Sequence, residues 1–515
     1  MLHSLGFSLS LRLAVMTLAV AFVGACSDPV SDRLHERSRN QPQWFEQAKL
    51  GIFIHWGLPS VPAFAAGKPL QPGELEEMIL SDSSRTELPY SEWYLNSLGY
   101  ANGRTQAFHR EHYGGAPYEA FQQQFERNIE DSWDPEAWAD LFQRAGARYV
   151  VLVTKHHDGY TLWPSKVINP NRADWGSRRD LVGELAAAVR ARGMHFGTYY
   201  STGLDWSFKM VTEGDLVSDI LRSAPSSQDY ADYVYDHLVE LIDRYQPDVI
   251  WADIGYPSKG RLGELFGYYF KQVPEGAVND RWGGVDVLGD IAEWPGAIWV
   301  LKKLARWLLQ NQPGELTDDP DRYGFKTVEY SHLAGIAPFK WESTRGLGGS
   351  FGFNRRETAS DMLNSAQLVE YLVETVAKNG NVLINVGPDS FGQIPMIQQA
   401  PLLGLGKWMD LNGEAVYGTR PWKRFQNENG RKLHYTQSDE ALYAIVDGPA
   451  QSTFTIEDPG IEYSDVQVLG AQLVRLIERP GELELQLDRA LEAAAVVVRY
   501  TFSESLGKKR ASASQ

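Results

Sequence analysis

The sequence predicts a (β/α)8-like TIM barrel followed by a C-terminal antiparallel β-sandwich. Three observations carry that expectation. From about Trp44, short continuous apolar runs alternate with segments of helical spacing. Polar residues sit just past the carboxyl ends of several of those runs. Beyond about residue 412 the pattern changes to short β-type runs broken by Gly, Pro and Asp.

The apolar runs are "LGIFIHWG", "ARYVVLVTK", "MHFGTYYST", "PDVIWADIG" and "NVLINVG". They are too continuous to be half-exposed strands and read as parallel strands covered on both faces. Between them, "RRDLVGELAAAVRARG" repeats apolar residues at three and four residue spacing and ends at Gly193, a C-cap signal. "YADYVYDHLVELIDRYQPD" is a second such helix, closed by a proline turn. Alternation of this length fits a barrel or a doubly wound sheet. No GxGxxG or GxxxxGK[ST] follows a strand, and polar residues at several strand ends converge at one mouth only in a barrel. The barrel is expected over 44–412 and the sandwich over 413–503, from "LHYTQSDEALYAIVDG" to "AAAVVVRYTF". The tail 504–515, ending in "GKKRASASQ", reads as disordered.

At the other end, His3 and Arg12 precede "LAVMTLAVAFV", an apolar run too short to cross a membrane as a helix. It ends in small residues before Cys26, the single cysteine of the chain, so no intramolecular disulfide can form. "VGAC" resembles a bacterial lipoprotein box. The expectation is a signal over 1–26, lipid attachment at Cys26, a polar tether over 27–43, and an exported protein, periplasmic or associated with the outer membrane. A plain secretory peptide is the alternative. The formal charge of -17 offers no basic face for nucleic acid. The 16 Trp and 24 Tyr supply rings of the kind that stack on sugars, although most aromatic residues are core.

Two strand ends carry candidate chemistry. In "YVVLVTKHHDGYTLW", His156 and His157 are adjacent. On a strand they point to opposite faces, whereas metal ligands usually converge from i and i+2 or i and i+4. Metal binding, strand termination and hydrogen bonding to a polar substrate all stay open on the residues alone. In "DVIWADIGYP", Asp253 ends a strand beside Trp251, a place for a nucleophile or base, or for a helix cap. Its candidate acidic partners are Glu329, Glu342 and Glu92.

Eight stretches in order, "LGIFIHWGLPSVPAF", "EWYLNSL", "YVVLVTKHHDGYTLW", "FGTYYSTGLDWSF", "PDVIWADIGYP", "AVNDRWG", "KWESTRGLGGSFGFNR" and "GNVLINVGPDSFGQIP", resemble the α-L-fucosidases of glycoside hydrolase family 29. The resemblance implies a barrel followed by a sandwich, and hydrolysis of terminal α-L-fucosides with retention and no metal or other cofactor. It places the nucleophile on Asp253. It puts His55, Glu92, Trp93, His156, His157, Tyr199 and Arg281 around the sugar, with Trp251 beside the nucleophile and Phe53 and Phe351 against the C6 methyl. For the general acid/base it points to Glu329, with Glu342 as the alternative, although "KWESTRG" also suits an ion pair between Glu342 and Arg345. The implied partner is a fucosylated oligosaccharide or glycoconjugate, with a homo-oligomer also possible.

Two departures stand out. A long insertion over 284–322 contains "AIWVLKKLARWLLQ", which reads as a lid, a subunit surface or a helix packed on the same barrel. "WAD" stands where the family pattern has "WND", removing an amide next to the nucleophile. Against the enzyme stand two other readings, a fucose-binding lipoprotein without chemistry and a metal hydrolase using His156 and His157.

Overall fold

The computed structural model describes residues 30–68, 88–294, 296–301, 303, 316, 318–319, 321–428 and 430–503. The segment 1–26 with Cys26, and the tail 504–515, lie outside the described residues.

Eight parallel strands form the barrel: β1 (Leu50–Ile54), β2 (Tyr149–Lys155), β3 (His195–Ser201), β4 (Val249–Asp253), β5 (Ala277–Val278), β6 (Lys326–Glu329), β7 (Trp341–Gly346) and β8 (Gly380–Val386). Their order is β5-β4-β3-β2-β1-β8-β7-β6. A parallel bridge between Asn279 and Phe325, just past β5 and just before β6, closes the ring. Five of these strands are the apolar runs read in the sequence, and β1, β2 and β8 are buried along their whole length.

The two helices read in the sequence form where their caps allow. The helix Leu181–Ala191 starts at Asp180, whose carboxylate accepts from the Gly183 N–H, and is followed by Gly193 at φ 73°. The helix Gln228–Tyr245 starts at Ser227, whose hydroxyl accepts from the Tyr230 N–H. Its apolar face, including Val234, Leu238, Leu241 and Ile242, is buried.

Inside the barrel, Phe53, Tyr149, Val151, Val153, Tyr199, Val249, Trp251 and Leu383 form one apolar cluster. Phe45 closes it from below by stacking on Phe325 at 4.5 Å between centroids. That plug belongs to the helix Gln43–Ala48. The tether expected over 27–43 is corrected here, because Asp32–Arg39 is a helix whose Ser38 is buried and whose Arg37 and Arg39 bond to Gly276 and Asp318. Its polar composition is the mark of a helix held by charge rather than of free chain.

The last barrel helix, Met396–Asn412, leads into β9 (Arg420–Gln426), β10 (Leu433–Gln437), β11 (Ala441–Asp447), β12 (Thr453–Glu457), β13 (Tyr463–Val468), β14 (Leu473–Arg479), β15 (Glu482–Leu487) and β16 (Ala495–Phe502). These make a five-stranded sheet, β13-β16-β11-β10-β9, and a three-stranded sheet, β12-β15-β14, over one shared core. The strand pairings within both sheets are antiparallel. In the insertion, the helix Asp286–Ala292 packs on the helix Leu216–Ser223, and Asp286 accepts from the Ser258 hydroxyl at 2.7 Å. This part of the insertion therefore sits on the same barrel.

Candidate active site

Strand register builds the site from inward-facing residues at the carboxyl ends. Tyr199 pairs with Trp251, and Ser201 with Asp253, across β3 and β4, while Phe53 pairs with Asn385 across β1 and β8. Just past the strand ends the chain adds His55 after β1 and the His156–His157 pair after β2. A cavity of about 190 Å³ at this mouth is lined by every candidate except Glu342. It brings together Phe53, His55, Glu92, Trp93, His156, His157, Tyr199, Trp251, Asp253, Arg281, Glu329 and Phe351.

The charged centre is a three-residue array. Asp253 accepts from the Tyr199 hydroxyl at 2.7 Å on one oxygen. Its other oxygen accepts from Arg281 Nη1 at 2.9 Å and from its neighbour Ile254 N–H at 3.0 Å. Arg281 Nη2 reaches Glu329 Oε1 at 2.6 Å, and Arg281 Nε donates to Thr327 Oγ1 at 3.0 Å. The guanidinium rests 4.6 Å from the centre of the Trp251 ring. One cation thus touches both carboxylates, held in place by a hydroxyl and an indole. Asp253 caps no helix, since the next one begins at Leu262. Behind each carboxylate the next residue has a left-handed backbone, Ile254 at φ 53° and Tyr330 at φ 49°. A β-branched residue there is strained, and such strain persists where the surroundings fix a functional geometry.

The imidazoles are neutral donors and acceptors with fixed roles. The Asn385 amide nitrogen donates to the Phe351 carbonyl at 2.6 Å, so the amide oxygen is the atom that meets His55 Nδ1 at 2.6 Å. His55 therefore carries its proton on Nδ1 and keeps a lone pair on Nε2. Ser201 gives its one hydroxyl proton to the Leu204 carbonyl at 2.6 Å, so it accepts from His157 Nδ1 at 2.6 Å, and His157 takes the same tautomer. Burial pushes the His55 pKa down to about 4 and those of His156 and His157 well below the ordinary value. The adjacent pair serves one pocket because β2 ends at Lys155, and beyond the strand the alternation of faces no longer applies. Among the described residues, no group of three or more His, Cys, Asp or Glu side chains is placed to hold a metal ion.

Glu92 accepts from the Gly352 N–H at 2.8 Å and the Ser350 hydroxyl at 3.2 Å, and burial raises its pKa to about 7. Glu342 is different. It is fully buried, absent from the cavity wall, and accepts from the Tyr149 hydroxyl at 2.5 Å and Trp251 Nε1 at 3.0 Å. Its place as an alternative acid is thereby corrected: it supports Trp251 from below. The ion pair with Arg345 is corrected too, because residues three apart on a strand face opposite sides, and Arg345 lies instead over the Tyr330 and Tyr371 rings.

The sequence reading missed Leu88, Tyr90, Leu216, Ile220, Ile254 and Thr344 in the wall. Leu216 and Ile220, four apart on the helix Leu216–Ser223, share one face by helical spacing, a signal present in "DLVSDIL".

The model of the family described as alpha-L-fucosidase matches residues 28–414. The tissue α-L-fucosidase of Rattus norvegicus is 31% identical over 465 residues, 88% of this chain and 84% of its own. A crystal structure of the Thermotoga maritima α-fucosidase with a mechanism-based inhibitor superposes with a TM-score of 0.73 at 37% identity, covering 92% of this chain and 100% of that one. The same enzyme in complex with fucose gives a TM-score of 0.72 at 37% identity over the same shares of the two chains.

Proposed function

This chain belongs to the α-L-fucosidase family, and on that premise we propose that it is a retaining exo-α-L-fucosidase acting on fucosylated oligosaccharides or glycoconjugates, with Asp253 and Glu329 as its working carboxylates. The observation that carries this reading is the Asp253–Arg281–Glu329 array inside a cavity walled by three neutral imidazoles. Retaining hydrolysis needs its two carboxyls about 5–5.5 Å apart, a separation that one bridging guanidinium spans.

In the first step an Asp253 oxygen attacks C1 of the fucosyl residue while Glu329 gives its proton to the departing glycosidic oxygen. The C1–O bond to the aglycone breaks and a covalent fucosyl ester forms. In the second step Glu329 takes a proton from water, the water oxygen attacks C1, and Asp253 leaves as a carboxylate. Tyr199 holds one Asp253 oxygen, and Arg281 pairs with the Asp253 carboxylate while its other nitrogen holds the Glu329 carboxyl in place. His55 and His157 offer lone pairs to ring hydroxyls. Phe53 and Phe351 face the C6 methyl, a contact that contributes only about 1–3 kcal/mol of discrimination, so the hydroxyl contacts must supply the rest.

The test is Asp253→Gly. Turnover of an aryl α-L-fucoside should fall by several orders of magnitude while binding persists, and azide should restore part of it. Wild-type product followed by proton NMR should appear first as the α-anomer. A first-formed β-anomer, or an Asp253→Gly enzyme that turns over normally, would refute the assignment. No metal enters this scheme, so dialysis against a chelator should leave the rate unchanged.

The reading extends to the amino terminus. The run before Cys26 and the "VGAC" box support export and a lipid anchor that holds the barrel at a membrane surface without spanning it. Cys26→Ala should move the protein from the membrane fraction, and an unchanged partition would count against lipidation.

A further inference from the structure

Asn385 is not part of the cavity wall, yet it touches both halves of sugar recognition. It is a buried residue of β8 whose register neighbour on β1 is Phe53. Its amide oxygen accepts from His55 Nδ1 at 2.6 Å, and its amide nitrogen donates to the Phe351 carbonyl at 2.6 Å. The N–H of that same peptide unit, on Gly352, is taken by Glu92 at 2.8 Å. The Phe351–Gly352 peptide is thus clamped on both edges. It also lies tight against β8, because a Cβ at Gly387 would come within 2.8 Å of the Phe351 carbonyl oxygen and 2.5 Å of the Phe353 nitrogen.

A side chain in this place must donate in one direction and accept in the other from one rigid group. Among residues of this size only an amide does so, since a carboxylate offers acceptors alone and an aliphatic group offers neither. A buried donor or acceptor left without its partner is destabilising, which fixes the amide in this orientation.

We propose that Asn385 is a positioning and specificity-determining residue that holds His55 as a hydroxyl acceptor and fastens it to the apolar wall at Phe351, so that hydroxyl and methyl recognition act as one unit. This rests on the fucosidase reading. The bland alternative is a polar core residue that merely satisfies its neighbours. The two differ in what a substitution does to selectivity and to pH dependence. An aspartate at 385 keeps an acceptor for His55, leaves the Phe351 carbonyl without its donor, and places a negative charge beside the imidazole. A carboxylate partner raises an imidazole's pKa. Once charged, His55 becomes a donor at Nε2 and repels a hydroxyl proton. The groups otherwise facing His55 are the rings of Phe53, His156, Tyr199 and Phe351, and the one charged group acting on it is Asp253.

The experiment compares wild type, Asn385→Asp and Asn385→Ala on an aryl α-L-fucoside and the matching α-L-galactoside, which differ only at C6, from pH 4.5 to 8. In both variants the ratio of kcat/KM between the two substrates should fall about tenfold, the scale set by a methyl in an apolar pocket. In Asn385→Asp alone, KM for the fucoside should climb as pH drops, along a limb that wild type lacks. Equal losses on both substrates with a wild-type pH profile would overturn the proposal.

Circular dichroism and melting temperature establish that each variant is folded. If neither variant folds, nitrogen-15 NMR of histidine-labelled wild type decides the matter. The His55 signal, assigned with His55→Gln, should show a neutral ring protonated at Nδ1 down to pH 5, and a proton at Nε2 would overturn the proposal. Failure of the fucosidase reading looks different, because wild type would then hydrolyse neither substrate while the NMR result would stand unaffected.

Discussion

Replacing Glu342 with glutamine separates support from chemistry at the base of the site. Burial pushes the Glu342 pKa from the ordinary 4.5 to about 7, against hydrogen bonds from Tyr149 and Trp251 that favour the charged form. Between those two values the folded protein holds a proton that the unfolded chain has lost. Stability from this group is therefore complete below pH 4.5 and is lost as pH rises through about 7. At 1.36 kcal/mol for each unit of pKa difference, the loss is about 3 kcal/mol. Glutamine does not titrate; its oxygen can keep the Trp251 N–H while its NH2 meets the Tyr149 hydroxyl, which can accept, much as the protonated carboxyl does. Urea unfolding should find Glu342→Gln close to wild type at pH 4.5 and, because wild type alone loses about 3 kcal/mol on the way, the more stable protein at pH 8. A gap that stays constant across pH would refute the reasoning. The variant's response to leaving-group acidity should match wild type, because the residue does not reach the sugar.

Glu329→Ala should behave oppositely. Fucosides with poor leaving groups should lose about 10²- to 10⁴-fold in kcat while activated aryl fucosides lose far less, and equal losses would remove Glu329 from the acid role. Lys155→Met leaves Asp205, its partner at 2.8 Å with both side chains fully buried, as an uncompensated charge. Unfolding free energy should drop by about 3–5 kcal/mol, and adding Asp205→Asn should recover part of it. Gly387→Ala should push the Phe351–Phe353 backbone outward and raise KM for fucosides about tenfold, or about 1.4 kcal/mol, with stability measured alongside by urea titration.

What was legible in the sequence follows burial and apolarity. β1, β2, β3, β4 and β8 announce themselves as apolar runs, whereas β5 has two residues, β6 is half-buried along its length, and β7 buries Glu342, Ser343 and Thr344. Hydrophobic periodicity cannot find a strand whose inward residues are polar. Most of the site residues were readable as motifs because they stand at or just past strand ends, while Glu92 and Trp93 lie on the short helical turn Ser91–Trp93; their mutual arrangement was not readable. That Arg281 bridges Asp253 and Glu329 joins residues on β4, on the loop after β5 and on β6, and no local pattern encodes such a contact. Glu342 shows the reverse failure: the resemblance offered it as an alternative acid and its neighbours in "KWESTRG" suggested an ion pair, while the register turns its side chain into the barrel beneath Trp251. In the insertion, most of "AIWVLKKLARWLLQ" lies outside the described residues, and what the preceding helix Asp286–Ala292 packs against was not readable.

The electrostatics of the pocket follow from the charge that develops on the sugar. As the C1–O bond breaks, the ring gains positive charge, which the Asp253 carboxylate stabilises. An imidazolium about 5 Å from that carbon would oppose a unit charge by about 3 kcal/mol at an effective dielectric of about 20. That is about two orders of magnitude in rate. Three histidines can surround the substrate only if they are neutral, and burial, the largest influence on each, keeps them so against the pull of Asp253 on His55 and His156. The sign follows directly: above about pH 4 His55 is uncharged, and below it the ring takes a proton and its acceptor is lost. In a pH profile of kcat/KM, the limb due to His55 should therefore lie near 4. A limb near the 6.5 of a free imidazole that disappears in His55→Gln would mean that the ring is charged in the working enzyme, and the arrangement would then need a different explanation.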